Sequence, residues 1–220
     1  MTSESLRILR ERVSIRKFKP DPVPVEVLRE LCMWGARAPS ACNMQDWRFI
    51  IVNQEDLKRR IVDSGASILI AQAPAGILVS YARDTKNIVY QDGVQSAAAA
   101  IENILLAASS YGLGACWIGN LPRKNRLRKL MKMPTLHEPI GYIILGYPEA
   151  VPGRTQPLRY APEELVGMNS FPSPLRPMRK FSVAKTGILR FLVSFYGHSP
   201  VWLKKIFLNK LIDARFTKKF

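Results

Sequence analysis

Apolar residues recur at helical spacing over residues 4–13, where Leu6, Leu9 and Val13 share a side, until the basic stretch Arg16-Lys17-Phe18-Lys19-Pro20 breaks the period. A second helix is predicted over 24–38, with Pro24 suited to a first turn and Val27, Leu28, Leu31 and Cys32 as its stripe. Residues 48–53 (Arg-Phe-Ile-Ile-Val-Asn) and 75–81 (Ala-Gly-Ile-Leu-Val-Ser-Tyr) are short continuous apolar runs, as buried strands are, and 55–62 predicts a short helix between them. The strongest signal is 91–111, where Ala97–Ala100, Ile101, Ile104, Leu105, Ala107 and Ala108 combine high helix propensity with apolar character on most faces. Such a helix is expected to be buried all round, and Gly112 to close it. Residues 115–118 and 140–145 read as two more strands. The order helix, helix, strand, helix, strand, helix, strand, helix, strand describes an α+β or α/β sandwich.

Beyond Glu149 the pattern changes. Seven prolines make residues 147–178 extended and largely irregular, and two short apolar-basic segments follow at 187–196 and 201–212, split by Gly197 and Pro200. Residues 167–220 carry eleven Lys and Arg against Asp213 alone, a net +10 out of +16 for the chain, which leaves +6 for residues 1–166. Two pieces are therefore expected: a folded domain over 1–166 and a basic C-terminal extension with amphipathic helices over 167–220.

With 47% hydrophobic and 23% charged residues the chain has material for a core, which excludes general disorder, collagen and coiled coil. Cys32, Cys42 and Cys116 form no CxxC and no paired framework, so zinc ribbons and iron–sulfur loops lack support and no metal is expected. The cysteine usage and the interrupted N-terminal pattern point to a reducing compartment, with a cytoplasmic protein as the expectation. The segment 187–196 is too short, and carries Arg190, for a spanning helix.

Four clusters could carry chemistry. Arg12, Ser14 and Arg16 stand at alternate positions around Val13, so an extended backbone would project two guanidiniums and a hydroxyl to one side, a set that suits phosphate and would equally serve as a solvated basic turn. The run from Ala38 through Pro39, Ser40, Cys42, Asn43 and Gln45 to Trp47 offers amides for a heterocycle edge, or simply turn formers and a core aromatic. Tyr111 to Asn120 sets Gly112, Gly114 and Gly119 around Cys116, Trp117 and Ile118, glycines that permit close backbone approach. Gly146-Tyr147-Pro148 is followed by Arg154 and Arg159. No HExxH, GxSxG or GKS/T motif occurs, and a Cys–His nucleophile from Cys42 or Cys116 would depend on His137, in what reads as a loop before a strand.

In order, these clusters resemble the nitroreductase family of FMN-dependent flavoproteins over about residues 6–166: Arg12-x-Ser14-x-Arg16-x-Phe18, Ala38-Pro39-Ser40-x-x-Asn43-x-Gln45-x-Trp47-x-Phe49, the Ala-rich helix ending in Gly112-Leu113-Gly114-Ala115-Cys116-Trp117-Ile118-Gly119, and Gly146-Tyr147-Pro148 with arginines beyond. The resemblance implies an α+β sandwich with a central mixed sheet flanked by helices, and a homodimer holding FMN at its interface. It implies that Arg12, Ser14 and Arg16 approach the phosphate, ribityl chain and pyrimidine side of the flavin, with Arg154 or Arg159 closing on the phosphate. Pro39, Ser40, Asn43 and Gln45 would border the flavin of the other subunit. The 116–119 segment would lie along the ring, with the backbone N–H groups of Ile118 and Gly119 facing N5 and O4. Arg16, Ile118 and Gly119 would then support the reaction electrostatically and through the backbone, with no protein nucleophile, because a fixed cation stabilises the negative charge of a reduced ring.

The implied reaction is ping-pong: NAD(P)H delivers hydride, leaves, and a nitroaromatic, quinone or similar acceptor takes its place. The chain departs from the family pattern at Asp46, where a proline is usual before the tryptophan, and in a short stretch between Tyr81 and Gln91, where many members carry a longer insertion. Alternatives are the same flavin fold reduced by a protein donor such as ferredoxin, a specialised reductase or dehalogenase, and a flavin-binding scaffold at a membrane. In the tail, Trp202, Leu203, Ile206, Phe207 and Leu211 against Lys204, Lys205, Asn209 and Lys210 outline an amphipathic helix. It would pack on the dimer partner, attach peripherally to anionic membrane, or dock an acidic electron-transfer protein; nucleic acid has no motif in its favour.

Overall fold

The computed structural model describes residues 4–83, 87, 89–150 and 161–172. Residues 4–150 lie in one compact unit, and 161–172 belong to a second that contributes one short helix, Pro162–Leu165, with Pro162 in its first turn. Arg154, Arg159 and the tail segments 187–196 and 201–212 fall outside the described residues.

In the first unit, helices α1 (Glu4–Glu11) and α2 (Val25–Gly35) precede strand β1 (Trp47–Val52). Helices α3 (Glu55–Asp63) and α4 (Leu69–Gln72) lead to β2 (Ala75–Ala82), followed by helix α5 (Asp92–Ser110), strand β3 (Gly114–Ile118), helix α6 (Lys124–Leu130) and strand β4 (His137–Gly146). The strands form one sheet in the order β1-β2-β4-β3, every neighbour antiparallel. A parallel component enters through a single bridge, Ser14 to Ala115, on the outer edge of β3.

β2 is buried from Ala75 to Tyr81 because both faces are covered. Ile77, Val79 and Tyr81 face Leu28 and Leu31 of α2 and Ala97, Ile101 and Ile104 of α5. Leu78, with Cys116, Tyr142 and Ile144, faces Ile61, Ile70 and Leu127 of the helices on the other side. The result is a three-layer sandwich, helices on both faces of the sheet.

α5 ends in a Schellman motif: the Leu113 N–H donates to the Ala108 carbonyl at 2.9 Å and the Gly112 N–H to that of Ser109 at 3.1 Å, with Gly112 at φ +69°. The expectation that this helix is buried all round needs correction. One stripe is in the core, whereas Val94 is exposed and Asn103, Leu106 and Ala107 are half-buried. The apolar outward stripe has no cover within the described unit.

β4 begins at His137, three residues before the apolar run, so His137 is a strand residue rather than part of a loop. The register passes from Val79–Gly141 to Ser80–Pro139, and this bulge accommodates a proline that cannot donate to the ladder. Among the described residues no helix is long and apolar enough to cross a membrane.

Candidate functional site at the two sheet edges

The chain leaving α1 docks on the outer edge of β3 and then pairs with the segment that follows β4. The Ile15 N–H donates to the Ala115 carbonyl (2.9 Å), Lys19 N–H to Tyr147 (2.9 Å), and Glu149 N–H returns to Lys17 (3.2 Å). This approach needs Gly114: a Cβ there would sit 2.7 Å from Ile15 Cβ. The docking gathers Arg12, Ser14 and Arg16 around Cys116 of β3. Burial pushes the Cys116 thiol up, against the opposing influence of the Arg16 guanidinium, the Ser14 side-chain hydrogen bond and Arg12. The thiol therefore stays protonated at neutral pH. A Cys116–His137 dyad is excluded by register: Cys116 pairs with Ile144, seven residues from His137, or about 23 Å along the strand.

Arg12 is oriented by a residue the sequence reading missed. Its Nε lies 3.4 Å from Glu102 Oε1 on α5, and its side chain is only 20% exposed. The available signal was that Glu102 is the one acid inside an apolar helix after its first turn. Arg16 Nη1 donates to the Ser14 carbonyl at 3.4 Å.

Among the described residues, nothing pairs with the edge of β3 beyond Ala115. Residues of an antiparallel strand turn their N–H and C=O to the same side, alternating along the chain. Ala115 faces outward to Ile15, so Trp117 and Gly119 also face outward, and Ile118 turns its N–H towards β4. A Cβ on Gly119 would meet nothing within 4 Å. Trp117 is 41% exposed, and its indole covers the position where a Cβ of Gly141 would sit.

Pro39, Ser40, Asn43 and Gln45 form a second cluster at the start of β1. Ser40 Oγ accepts from the Gln45 N–H (3.1 Å), Gln45 Nε2 donates to Asn43 Oδ1 (2.8 Å), and the Ala41 N–H donates to Ser96 Oγ of α5 (3.1 Å). Cys42, Asn43 and Gln45 all have positive φ (49°, 56° and 53°). Left-handed non-glycine residues cost of order 1 kcal/mol or more each and concentrate at binding sites. The polar edges of Asn43 and Gln45 are held towards solvent.

The two clusters lie on opposite edges of the sheet, three strand spacings or about 14 Å apart. One chain therefore holds two separate candidate clusters. The first offers two partly covered guanidiniums, a hydroxyl and open backbone donors, a donor set that fits the phosphate and ring edge of a flavin nucleotide. The second offers amides.

The Nitroreductase family model matches this chain over residues 9–71 and 63–147. A Methanothermobacter thermautotrophicus protein, provisionally named NADH dehydrogenase/NAD(P)H nitroreductase, is 34% identical over 152 residues, 67% of this chain and 79% of that protein. Among solved structures, an FMN-dependent nitroreductase from Clostridium difficile superposes with TM-score 0.62 at 25% identity, covering 76% of this chain and 99% of that one. A provisionally assigned nitroreductase from Desulfovibrio desulfuricans, solved in complex with FMN, gives TM-score 0.64 at 27% identity over 78% of this chain and all of that one. With the sandwich, the edge-docked Arg-x-Ser-x-Arg segment and the family match in agreement, the chain belongs to the nitroreductase family.

Proposed function

We propose that the protein is an FMN-dependent oxidoreductase that takes hydride from NAD(P)H and passes it to a nitroaromatic, quinone or similar acceptor in a ping-pong cycle, with residues 1–166 as the cofactor domain and 167–220 as a basic extension. The observation that carries this reading is the docking of Ser14 on Ala115, which sets Arg12 and Arg16 beside the open end of β3. FMN bound there would supply the ring that accepts hydride from one substrate and returns it to the next.

The protein's part is binding and electrostatics. Arg12, steered by Glu102, would hold the phosphate with Ser14, helped by Arg154 or Arg159. Arg16 would stand against the pyrimidine side, where negative charge builds on reduction. An arginine keeps its proton, so it stabilises that charge without acting as an acid. The outward N–H of Gly119 would orient the ring edge, and strand alternation supports Trp117 over Ile118 as the second donor.

Ser40, Asn43 and Gln45 would serve the cofactor of a second copy. An apolar face that the described residues leave uncovered supports this homodimer: Ile8 and Leu9 of α1, Trp34, and Leu106, Ala107 and Tyr111 line a groove of about 430 Å³. Leu9 and Trp34 are 57% and 50% exposed, and the Trp34 indole donates to the Tyr111 hydroxyl, which donates to Glu30. A contiguous apolar face of this kind marks an association site.

The test is the visible spectrum of the purified, FMN-loaded protein under anaerobic NADPH and NADH, with sedimentation for mass. Flavin bands that bleach, in a dimer, are expected. A protein that takes up no FMN would overturn the reading, and bound flavin that neither nucleotide reduces would remove NAD(P)H as donor.

A further inference from the structure

The net charge of residues 1–166 has a single source. Between Glu102 and Glu138 there is no acidic residue, and within that interval fall Arg123, Lys124, Arg126, Arg128, Lys129 and Lys132. The other positions of 1–166 carry sixteen cations and sixteen acids, so the +6 of this part of the chain resides on α6 and its flanks. All six are exposed except Arg128, which is half-buried. Among the described residues, two have fixed partners: Lys124 Nζ meets Glu138 Oε2 at 2.7 Å, and Arg126 Nη1 donates to the Ser64 carbonyl at 3.3 Å. Glu138 already serves Arg83 (3.1 Å), so it does not neutralise the helix.

The helix is amphipathic in one sense only. Leu127 is fully buried, and Leu130, Met131 and Met133 pack against the same core cluster. What α6 itself leaves exposed is Asn125 and its cations, while Leu136, four residues beyond Lys132, is the exposed aliphatic residue of its C-terminal flank, too little on its own to anchor the helix in a bilayer. The position matters as much as the charge. Arg123 follows Gly119 by four residues, at most about 14 Å of chain, so the basic face begins beside the open end of β3.

We propose that α6 is the docking face for an acidic one-electron carrier protein, which reduces the cofactor held at the end of β3. The proposal rests on the flavin reading above and extends it to a second class of donor. A cationic patch next to the reducible group steers such a partner and sets it at short range, whereas a solvated helix gains nothing from this placement. Each encounter passes one electron from carrier to flavin, so two carriers are oxidised for each flavin fully reduced, and the accompanying proton comes from water.

The test compares the full-length, FMN-loaded protein with a triple variant, Arg123→Gln, Lys129→Gln and Lys132→Gln, none of which lies in the proposed cofactor site. The basic tail is the same in both, so it cancels. The probe is an acidic [2Fe–2S] ferredoxin, with binding measured by calorimetry at 20 and 200 mM salt and reduction followed by anaerobic stopped flow. Expected are ferredoxin binding that weakens at least tenfold with salt, and a roughly tenfold loss of both affinity and bimolecular reduction rate in the variant at low salt. NAD(P)H-driven bleaching should stay within twofold. Equal ferredoxin binding and reduction by the two proteins would overturn the proposal. So would α6-dependent binding to a 20-bp DNA duplex or to vesicles rich in phosphatidylserine without binding to ferredoxin. Should the chain prove unable to hold FMN yet bind ferredoxin through α6, the docking face stands and the flavin reading falls.

Discussion

Replacing Arg12 by alanine separates a cofactor-binding role from a structural one. Arg12 touches α5 through one pair, Nε to Glu102 Oε1 at 3.4 Å, and Glu102 is 48% exposed. An ion pair with one exposed partner contributes at most about 1 kcal/mol, so the variant should unfold within about that margin of the parent. A guanidinium–phosphate bond is charge-assisted and worth roughly 1.5–3 kcal/mol, which corresponds to a rise in FMN Kd of about 10- to 150-fold. The assay is quenching of FMN fluorescence on titration with apoprotein at 100 mM salt, with urea unfolding run alongside. Arg12→Lys should fall between, keeping the charge and losing the fork. Glu102→Gln supplies the control: it removes the pair that steers Arg12 and leaves the cation, so FMN affinity should fall, but by less than in Arg12→Ala. An Arg12→Ala protein that binds FMN within threefold of the parent, at unchanged stability, would refute the phosphate role and leave Arg12 as a helix-to-helix contact.

The remaining expectations probe other parts of the same structure. Gly114→Ala drives a Cβ into Ile15, so stability should drop by about 1–3 kcal/mol and FMN affinity should fall with it; a tight-binding variant would show that the edge docking is dispensable. Lys58 is buried, paired with Glu55, and donates to the carbonyls of Ala73 and Pro74, so Lys58→Met should destabilise by about 2–4 kcal/mol in urea titration without touching the flavin spectrum. The hydrogen bond from Lys124, with Arg83 beside it, holds the Glu138 carboxyl below its usual range. That contribution is present above the unfolded-state pKa and lost as pH falls through the lower folded value. Glu138→Gln should therefore flatten the acid limb of the melting curve below about pH 4.5, by less than about 1 kcal/mol. In native-state labelling with iodoacetamide at pH 7.5, exposed Cys42 should react first. Cys32, pushed up to about 11 by burial, and Cys116 should react only on unfolding.

The elements legible in the sequence were those whose burial is written locally. β2 is apolar at nearly every position because both faces are covered, and α5 combines alanine-rich propensity with a closing glycine. α6 was implied in the order of elements without bounds, since Lys-Asn-Arg-Leu-Arg-Lys-Leu offers little apolar period for so short a helix. α4 is four residues inside an apolar run and gives no period. The early start of β4 was hidden by Pro139, admitted there by the bulge opposite Val79 and Ser80. In the site, the Arg-x-Ser-x-Arg spacing was readable because it is local. Its positioning was not, because Glu102 lies 90 residues from Arg12, and Ser96 lies 55 from the Ala41 it holds.

Those two distant partners sit on one helix, and this bears on why the site is split. Ser96 and Glu102 are six residues apart on α5, about 9 Å along its axis and a third of a turn around it. The stripe between them, away from the core, is the one that carries Asn103, Leu106, Ala107 and Ser110 into the apolar groove. The helix thus supports the amide loop on one flank and the arginine segment on the other, and the face in between is left uncovered by the described residues. A second copy seated on that face would border both clusters at once, which a partner bound elsewhere on the sandwich would not. The strain of three left-handed residues in the amide loop would then have a use, since it holds Asn43 and Gln45 outward, where a cofactor carried by that second copy could meet them.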